Sequence, residues 1–346
     1  MQIEDVKRFL KEYDGPDITL MEVCGSHTAA IAKYGLKHLL SERIHLVSGP
    51  GCPVCVTPSS YIDRLIELAK TPNTCVVTFG DLLRVPGSHQ CLNEAKGEGA
   101  QVKMVYSPAD TLKLAAENPA ITYVFAAVGF ETTTPVYALL LEQIESRHLT
   151  NIKLLTALKT MPAAIEWICE NGAKINGFLA PGHVCAITGS DAFLSLAKIY
   201  QIPFGVAGFL PEELLLAIYG LIKMIENPAT VKNFYPSVVT PTGNRIAQEK
   251  TAVYFETSNA VWRGMGEIKN SGLLLKDCYA HYDAGSGLLV TDNKINKACC
   301  CDRILIGKLT PNQCPLFKKE CTPYSPQGAC MVSTEGSCYQ YYQNEL

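Results

Sequence analysis

Short apolar runs alternate with amphipathic helical patterns along the first 230 residues of the chain. Helix-like stretches such as SSYIDRLIELAK and PVYALLLEQIESR separate these runs. Strand–helix alternation predicts right-handed βαβ units and parallel sheets. The candidate strands are ITLMEV (18–23), RIHLVS (43–48), TCVVTF (74–79), VKMVYS (102–107), TYVFAAV (122–128), IKLLTAL (152–158), GFLAP (177–181) and PFGVAGF (203–209).

The candidate strands fall into two sets of four, which predict two similar, doubly wound, Rossmann-like α/β domains over residues 1–120 and 121–230. The alternation stops at NPATVKNFYPSVVTPTGN, whose Pro, Thr and Asn residues indicate a boundary. We expect residues 231–346 to form a third region. It would contain one or two strands in TAVYFETSNAVWRGMGEI and a cysteine-rich tail.

Composition and charge narrow the class of protein. Charged residues make up 18% of the chain, below the roughly one quarter of an average domain, as in sheets covered on both faces. A net charge of −3 and the lack of a basic stretch predict no nucleic-acid partner. The first residues suit an amphipathic helix and not a targeting peptide, and no apolar run of about 18 residues predicts a membrane span. We therefore expect a cytoplasmic protein, in which most thiols stay reduced.

Four of the 15 cysteines lie in the tail, separated by gaps of six, eight and seven residues. Structural zinc sites use closely spaced Cys-x-x-Cys pairs, which the tail lacks, whereas a [4Fe–4S] cluster accepts dispersed thiolates. The spacing therefore favours a cluster, while zinc or a disulfide staple stays open. The adjacent cysteines 299–301 are either rival ligands or incidental. The predicted ligands are Cys314, Cys321, Cys330 and Cys338.

Polar and glycine-rich motifs follow several predicted strands, where ligands of parallel sheets gather. CGSHT follows the first strand, GPGCPVC the second, GFETTTP the fifth and PGHVC the seventh. If the two domains face each other, the thiols, imidazoles and carboxylate of these motifs would converge on one cleft.

Each candidate residue has a functional and a structural interpretation. Cys52 and Cys55 form a CxxC pair, typical of redox exchange or half a metal site, but also compatible with packing. Cys24 could begin a helix whose dipole favours a thiolate, or be an ordinary buried cysteine. His27 suits metal binding or acid–base chemistry, or a buried structural role, and Glu131 could cap a helix. Without partner spacing, we interpret four further cysteines as packing residues: Cys75, Cys91, Cys169 and Cys278.

Several other chemistries lack their motifs. The sequence contains no GxxxxGK[ST] phosphate loop, no HExxH zinc site, no CxxxCxxC radical-SAM spacing and no GxGxxG in a strand–turn–helix setting.

The motifs MEVCGSHT, GPGCPVCVTP, FGDLLRVPGS, GFETTTP, PGHVCAITG, WRGMGEI and the cysteine-rich tail resemble, in this order, the HypD family of hydrogenase maturation proteins. The resemblance spans about residues 20–342. It implies two similar α/β domains with a cluster-bearing third region. It also implies a scaffold on which the Fe(CN)2CO unit of [NiFe] hydrogenases is assembled.

The resemblance also assigns roles and partners. It implies that Cys24 holds the iron, that Cys52 and Cys55 are a redox pair, and that His27 and Glu131 line the cleft. It implies that the four tail cysteines hold the cluster, and that a HypC-type small chaperone and a HypE-type cyanide donor are the partners. Two departures stand out: Ala29 replaces a histidine found in many members, and the run of three cysteines is longer than usual.

Thiolate donors suit low-spin iron carrying cyanide and CO, which is a soft metal unit. We therefore predict a redox-active assembly scaffold and not a conventional turnover enzyme. Two alternatives stay open: a cluster-linked thiol–disulfide oxidoreductase acting on another substrate, and a zinc-stabilised interaction module.

Overall fold

The computed structural model describes residues 2–172, 174–289, 292–293 and 296–344. Strands and helices alternate through most of this part of the chain, as the sequence predicts. The strands are β1 (Ile18–Glu22), β2 (Ile44–Ser48), β3 (Thr74–Thr78), β4 (Val102–Met104), β5 (Thr122–Gly129), β6 (Ile152–Lys159), β7 (Gly177–Pro181), β8 (Phe204–Ala207), β9 (Val231–Asn233), β10 (Phe255–Trp262) and β11 (Gly266–Leu275).

Helices connect nearly all of these strands. They are α1 (Ile3–Lys11), α2 (Gly25–Lys33), α3 (Ser59–Lys70), α4 (Leu92–Gly97), α5 (Asp110–Glu117), α6 (Thr134–Ser146), α7 (Met161–Asn171), α8 (Gly182–Thr188), α9 (Leu194–Tyr200), α10 (Pro211–Met224), α11 (Arg245–Tyr254), α12 (Cys301–Leu305) and α13 (Ser337–Asn344). Among the described residues, no helix has the length and apolarity that a membrane crossing requires.

The strands form two sheets, in the orders β2-β1-β7-β8-β9 and β4-β3-β5-β6-β11-β10. The first sheet is parallel throughout, and the second is parallel except for the β10–β11 hairpin at one edge. Each sheet has one switch point, where the order of the parallel strands along the chain reverses. It lies between β1 and β7 in the first sheet and between β3 and β5 in the second. Ligands bind at such switch points in doubly wound folds.

The predicted strands are present, but their division between sheets differs from the prediction. The first four strands do not share a sheet: β1 and β2 lie in one sheet with β7, β8 and β9, whereas β3 and β4 lie in the other with β5 and β6. Each sheet therefore contains strands from both predicted ranges, 1–120 and 121–230. The two ranges stay predictions as folding units. Alternation predicts that strands are parallel, but long-range packing of their faces decides which strands become neighbours. The short β9 lies in the segment expected to be a boundary.

Side chains on the two faces of the first sheet enter different cores. Leu20 and Leu179 pack with α1 and α10 on one face. Met21 and Phe178 face a second core that also contains cysteines of the tail, including Cys330. The cysteine-rich region is therefore packed against the first sheet and is not a separate appendage.

Candidate thiol cleft and cysteine cavity

The Cys24 turn links the end of β1 to the start of α2, where Cys24 occupies the N-cap position. Its backbone N–H donates to Glu22 Oε2 over 3.0 Å, and Thr28 Oγ1 donates to Glu22 Oε1 over 2.5 Å. Burial raises the pKa of the Cys24 thiol to about 12, although the N–H groups of His27 and Ser26 oppose the rise. Of the two interpretations of Cys24, burial has the larger effect on its pKa in the free protein, because desolvation outweighs the helix terminus.

His27 lies fully buried on the first turn of α2. Its Nε2 contacts two backbone oxygens, those of Ala207 at 3.2 Å and Gly208 at 3.0 Å. Because both are acceptors, Nε2 carries the proton, and the Nδ1 lone pair has no hydrogen-bond partner among the described residues. Burial lowers the pKa of His27 to about 4, so the ring is neutral at physiological pH.

Glu131 follows β5 at the switch point of the second sheet. Oε1 accepts a 2.8 Å hydrogen bond from the backbone N–H of Met161, the first residue of α7. Oε2 is buried and has no partner within the described part of the chain. Burial raises the pKa of Glu131 to about 7. Glu131 thus binds the start of a helix, as its structural interpretation predicted, and that helix is α7. Within the described part of the chain, its second carboxylate oxygen is free to bind another group.

His183 and Cys185 lie on α8, which follows β7 at the switch point of the first sheet. The His183 ring stacks on Phe209 with centroids 3.9 Å apart, and His27 approaches the same phenyl ring at 4.9 Å. Burial, and then the charges of Glu131 and Cys24, raise the pKa of Cys185. The fold thus brings together groups that follow β1, β5 and β7, as the strand-end motifs predicted, and adds Phe209 after β8.

The tail closes over the Cys24 turn. Ser26 Oγ donates to Glu335 Oε1 over 2.8 Å, and a Cβ at Gly25 would lie 2.5 Å from that of Glu335. A Cβ at Gly51 would lie 2.2 Å from the backbone nitrogen of Cys24, so only glycine fits there. The tail and the Cys24 turn are therefore in direct contact, a long-range contact for which the sequence held no signal.

Cys52 and Cys55 lie side by side in the loop after β2. Their sulfurs are 2.6 Å apart, and the backbone N–H of Cys55 donates to Cys52 Sγ over 3.2 Å. Both residues are buried. The two thiols are therefore adjacent, as the CxxC spacing predicts.

A line of sulfurs leads from this pair into the tail. Burial, and then side-chain contacts with Cys330 and Cys52, raise the pKa of the Cys55 thiol. Cys330 also contacts Cys338, and its sulfur lies 2.9 Å from that of Cys301. The loop after β2 and the tail, which are far apart in sequence, thus meet through sulfur atoms.

All four predicted ligands of the tail line one small cavity. Cys299 and Cys301 line it too, so the cavity has six cysteines where the prediction named four. Cys300 does not line it, although its thiol contacts that of Cys314. The remaining lining residues are Ile304, Leu316, Phe317, Gly328 and Met331.

Soft sulfur donors in an apolar shell fit an iron–sulfur cluster and not a hard cation. However, no three His, Cys, Asp or Glu side chains of the described residues surround a common point closely enough for a metal ion. The cavity lining identifies candidate ligands and does not single out four of the six. None of the cysteines interpreted as packing residues lines it.

Sequence reasoning did not commit to His183, Phe209 or Glu335 as site residues. His183 had a detectable signal, since PGHVC follows a predicted strand. Phe209 and Glu335 had none, because their place in the cleft depends on contacts with His27 and Ser26.

These features define a class: a two-sheet α/β protein with a buried thiol at a switch point, joined by paired cysteines to a cysteine-lined cavity. The model of the family described as "HypD: Hydrogenase formation hypA family" matches residues 2–345. The chain therefore belongs to the HypD family and is related throughout its length to hydrogenase maturation factors.

Named relatives agree with this assignment. The chain is 42% identical to hydrogenase maturation factor HypD of Escherichia coli over 339 residues, covering 95% of this chain and 90% of that protein. It is also 42% identical to HypD of Azotobacter vinelandii, with coverages of 93% and 88%. Identity to HypD of Rhodobacter capsulatus is 40%, with coverages of 94% and 89%.

Proposed function

We propose that this chain is a cytoplasmic, redox-active scaffold on which the Fe(CN)2CO unit of [NiFe] hydrogenases is assembled. The observation that carries the proposal is the continuous arrangement of thiols. Cys24 lies in the cleft, the Cys52–Cys55 pair lies in the adjoining loop, and Cys55 contacts Cys330 at the cysteine cavity.

Cys24 is the proposed iron ligand. Its thiol lies at the switch point of the first sheet, where the backbone N–H of His27 approaches it. Binding iron would release the thiol proton, because thiolate is the form that ligates metals. The free Glu131 Oε2 and the His27 lone pair could accept that proton or hydrogen-bond a protonated ligand.

Cys52 and Cys55 are the proposed electron donors for cyanide delivery. A thiocyanate on a partner's cysteine, R–S–CN, would react with the two thiols to give R–SH, cyanide, one proton and the Cys52–Cys55 disulfide. The C–S bond to cyanide breaks and one S–S bond forms. The disulfide then takes up two electrons from a low-potential electron donor, together with two protons, before a second cyanide is delivered.

The proposed cluster ligands are the predicted Cys314, Cys321, Cys330 and Cys338. A bound [4Fe–4S] cluster would supply electrons one at a time. Cys330 joins the cavity to Cys55, so the disulfide would receive electrons through this pair of neighbouring sulfurs.

The proposed partners are a HypC-type small chaperone and a HypE-type cyanide donor. The rim of the cleft is accessible to them: His183 is exposed, and Leu210, next to Phe209, is 58% exposed.

The test is infrared spectroscopy of the anaerobically purified complex with the small partner, combined with iron analysis. Wild-type complex should show Fe-bound CO and CN bands, whereas Cys24→Ala should abolish them, because the iron loses its thiolate. Cys278→Ala, at an exposed cysteine outside the cleft, is the matched control and should keep both bands. Full-intensity bands at unchanged frequencies in Cys24→Ala would show that another residue holds the iron.

The alternative is a cluster-linked thiol–disulfide oxidoreductase acting on another substrate. It is favoured by the direct contact of Cys55 with Cys330, which does not involve Cys24. A reversible Cys52–Cys55 disulfide in protein that never shows CO or CN bands would support this alternative over the scaffold.

A further inference from the structure

Arg263 is a buried cation in the turn between β10 and β11, with only 7% of its surface exposed. Its guanidinium binds two backbone carbonyls of different loops. Nε donates to Thr57 O over 2.6 Å and Nη2 donates to Pro86 O over 2.9 Å. The backbone N–H of Arg263 also donates to Val56 O over 2.8 Å. One residue thus fixes both loops to the hairpin.

These contacts join three sequence motifs that the proposed chemistry leaves partly unexplained. Val56 and Thr57 belong to GPGCPVCVTP, Pro86 belongs to FGDLLRVPGS, and Arg263 belongs to WRGMGEI. Val56 directly follows Cys55, so the clamp begins one residue from the thiol pair. Both acceptors are backbone carbonyls, which a side-chain substitution does not remove. Substituting Arg263 is therefore the direct way to break this junction.

The same turn packs against the segment that carries Cys301. Gly264 has a φ of +76°, and a Cβ there would lie 2.6 Å from that of Asp302, the residue after Cys301. The contact with Cys330 and burial raise the pKa of Cys301, and the positive charge of Arg263 opposes that rise. Arg263 therefore lies between the loop of the thiol pair and the sulfurs at the cavity.

We propose that Arg263 is a positioning residue that holds the Cys52–Cys55 loop in register with Cys330 and Cys301. This inference rests on the proposed function, since it assigns Arg263 to the electron path of that scaffold. Arginine suits the role because its planar fork binds two acceptors at once. Lysine keeps the charge but offers one point of attachment and cannot bridge the carbonyls of Thr57 and Pro86 in the same way.

The experiment measures how fast the Cys52–Cys55 disulfide is reduced in cluster-loaded full-length protein. Oxidised protein is mixed anaerobically with dithionite, which supplies the two electrons, while water supplies the two protons. Samples are quenched with acid and alkylated, and the peptide with both thiols is quantified by mass spectrometry. The variants are Arg263→Lys and the control Arg84→Gln. Arg84 is an exposed arginine that also donates to a backbone carbonyl, that of Pro323.

Arg263→Lys should fold and keep the cluster but reduce the disulfide roughly 10- to 100-fold more slowly, the scale of effect expected from a small misplacement. Arg84→Gln should match the wild type. A wild-type rate in Arg263→Lys overturns the positioning role. If Arg263→Lys does not fold, Arg263→Gln is measured in the same way, and failure of both to fold makes Arg263 a folding residue and overturns the proposal.

The wild-type protein separates this inference from the function on which it rests. If loading the cluster does not accelerate disulfide reduction in the wild type over cluster-free protein, the proposed electron path itself is wrong. If loading accelerates it in the wild type and equally in Arg263→Lys, only the role of Arg263 is wrong.

Discussion

The three residues predicted around the iron share one property: burial shifts each of them toward its uncharged form. The pKa of Cys24 rises to about 12, that of Glu131 rises to about 7, and that of His27 falls to about 4. Desolvation is the largest cause in all three cases, as expected for groups removed from water. Burial therefore favours a protonated Cys24 in the free protein, and binding iron there would require the thiol to lose its proton.

Glu131 provides a pH-dependent test at this scale. Its folded-state pKa of about 7 exceeds the usual value of 4.5, so the folded protein binds more protons between these values. The raised pKa of Glu131 therefore stabilises the folded protein fully below pH about 4.5. This contribution to the unfolding free energy, up to about 3 kcal/mol, is lost as the pH rises through about 7. We therefore expect Glu131→Gln to gain stability relative to the wild type between pH 4.5 and 8.

Urea unfolding of metal-free protein at several pH values measures this difference. Glu94→Gln is the control, since Glu94 lies at the start of α4, away from the cleft. A constant free-energy difference between Glu131→Gln and the wild type across the range would contradict the assignment.

At the scale of elements, the cleft depends on close approach between loops at the carboxyl ends of the strands. The loop after β2 reaches Cys24 only because Gly51 has no Cβ, and α2 packs under Glu335 only because Gly25 has none. Such contacts involve backbone atoms, which cannot move aside as the end of a flexible side chain can. The thiol pair and the Cys24 turn therefore form one rigid assembly.

Gly51→Ala tests this dependence. The added methyl would lie 2.2 Å from the Cys24 nitrogen and 2.4 Å from its Cα, so the loop must shift. We expect a loss of about 1–3 kcal/mol in unfolding free energy, as for other overpacked sites. Gly97→Ala is the matched control, because nothing lies within 4 Å of its Cβ position, and it should be neutral or slightly stabilising. Equal urea midpoints for both variants would refute the close-packing argument.

At the scale of the whole molecule, the tail connects parts of the chain that are far apart in sequence. Lys37 Nζ donates to Tyr341 Oη over 2.6 Å, Ser26 binds Glu335, and the cysteine cavity lies within the core under the first sheet. The cavity also adjoins the β10–β11 turn through Cys301 and Arg263. Loss of a cluster from the cavity would therefore lower the stability of parts of the chain outside the tail.

Serine substitution of the six cavity cysteines determines which of them bind the cluster. Cys314→Ser, Cys321→Ser, Cys330→Ser and Cys338→Ser should each remove or degrade the brown, iron- and sulfide-containing chromophore, because a hydroxyl is a poorer donor to iron than a thiolate. These variants should also lower the melting temperature. Cys278→Ser should leave colour, iron content and melting unchanged.

The other two cavity cysteines make this test decisive. If Cys330→Ser keeps the cluster while Cys299→Ser loses it, the ligands are Cys299, Cys314, Cys321 and Cys338. Cys330 and Cys301, with sulfurs 2.9 Å apart, would then belong to the electron path. Unchanged iron and sulfide in every cavity variant would exclude a cluster at this place.

The sequence by itself determined the elements and the chemical groups that follow them. The alternation of apolar runs predicted the first eight strands, and the strand-end rule placed Cys24, Cys52, Cys55 and Glu131 near one cleft, because parallel strands share their carboxyl edge. The motifs also sufficed to recognise the family. Local pattern carries this information, since strand formation and turn chemistry depend mainly on neighbouring residues.

Only the tertiary structure decided the partners of each element. It joined β1 to β7 and β3 to β5, laid Glu335 over the Cys24 turn, and added Cys299 and Cys301 to the cavity. It also decided between the two interpretations of the Cys24 thiol pKa, because burial depends on what packs over a residue and not on its neighbours in sequence. Contacts between residues up to 309 positions apart leave no periodic trace in the chain, and packing alone selects them.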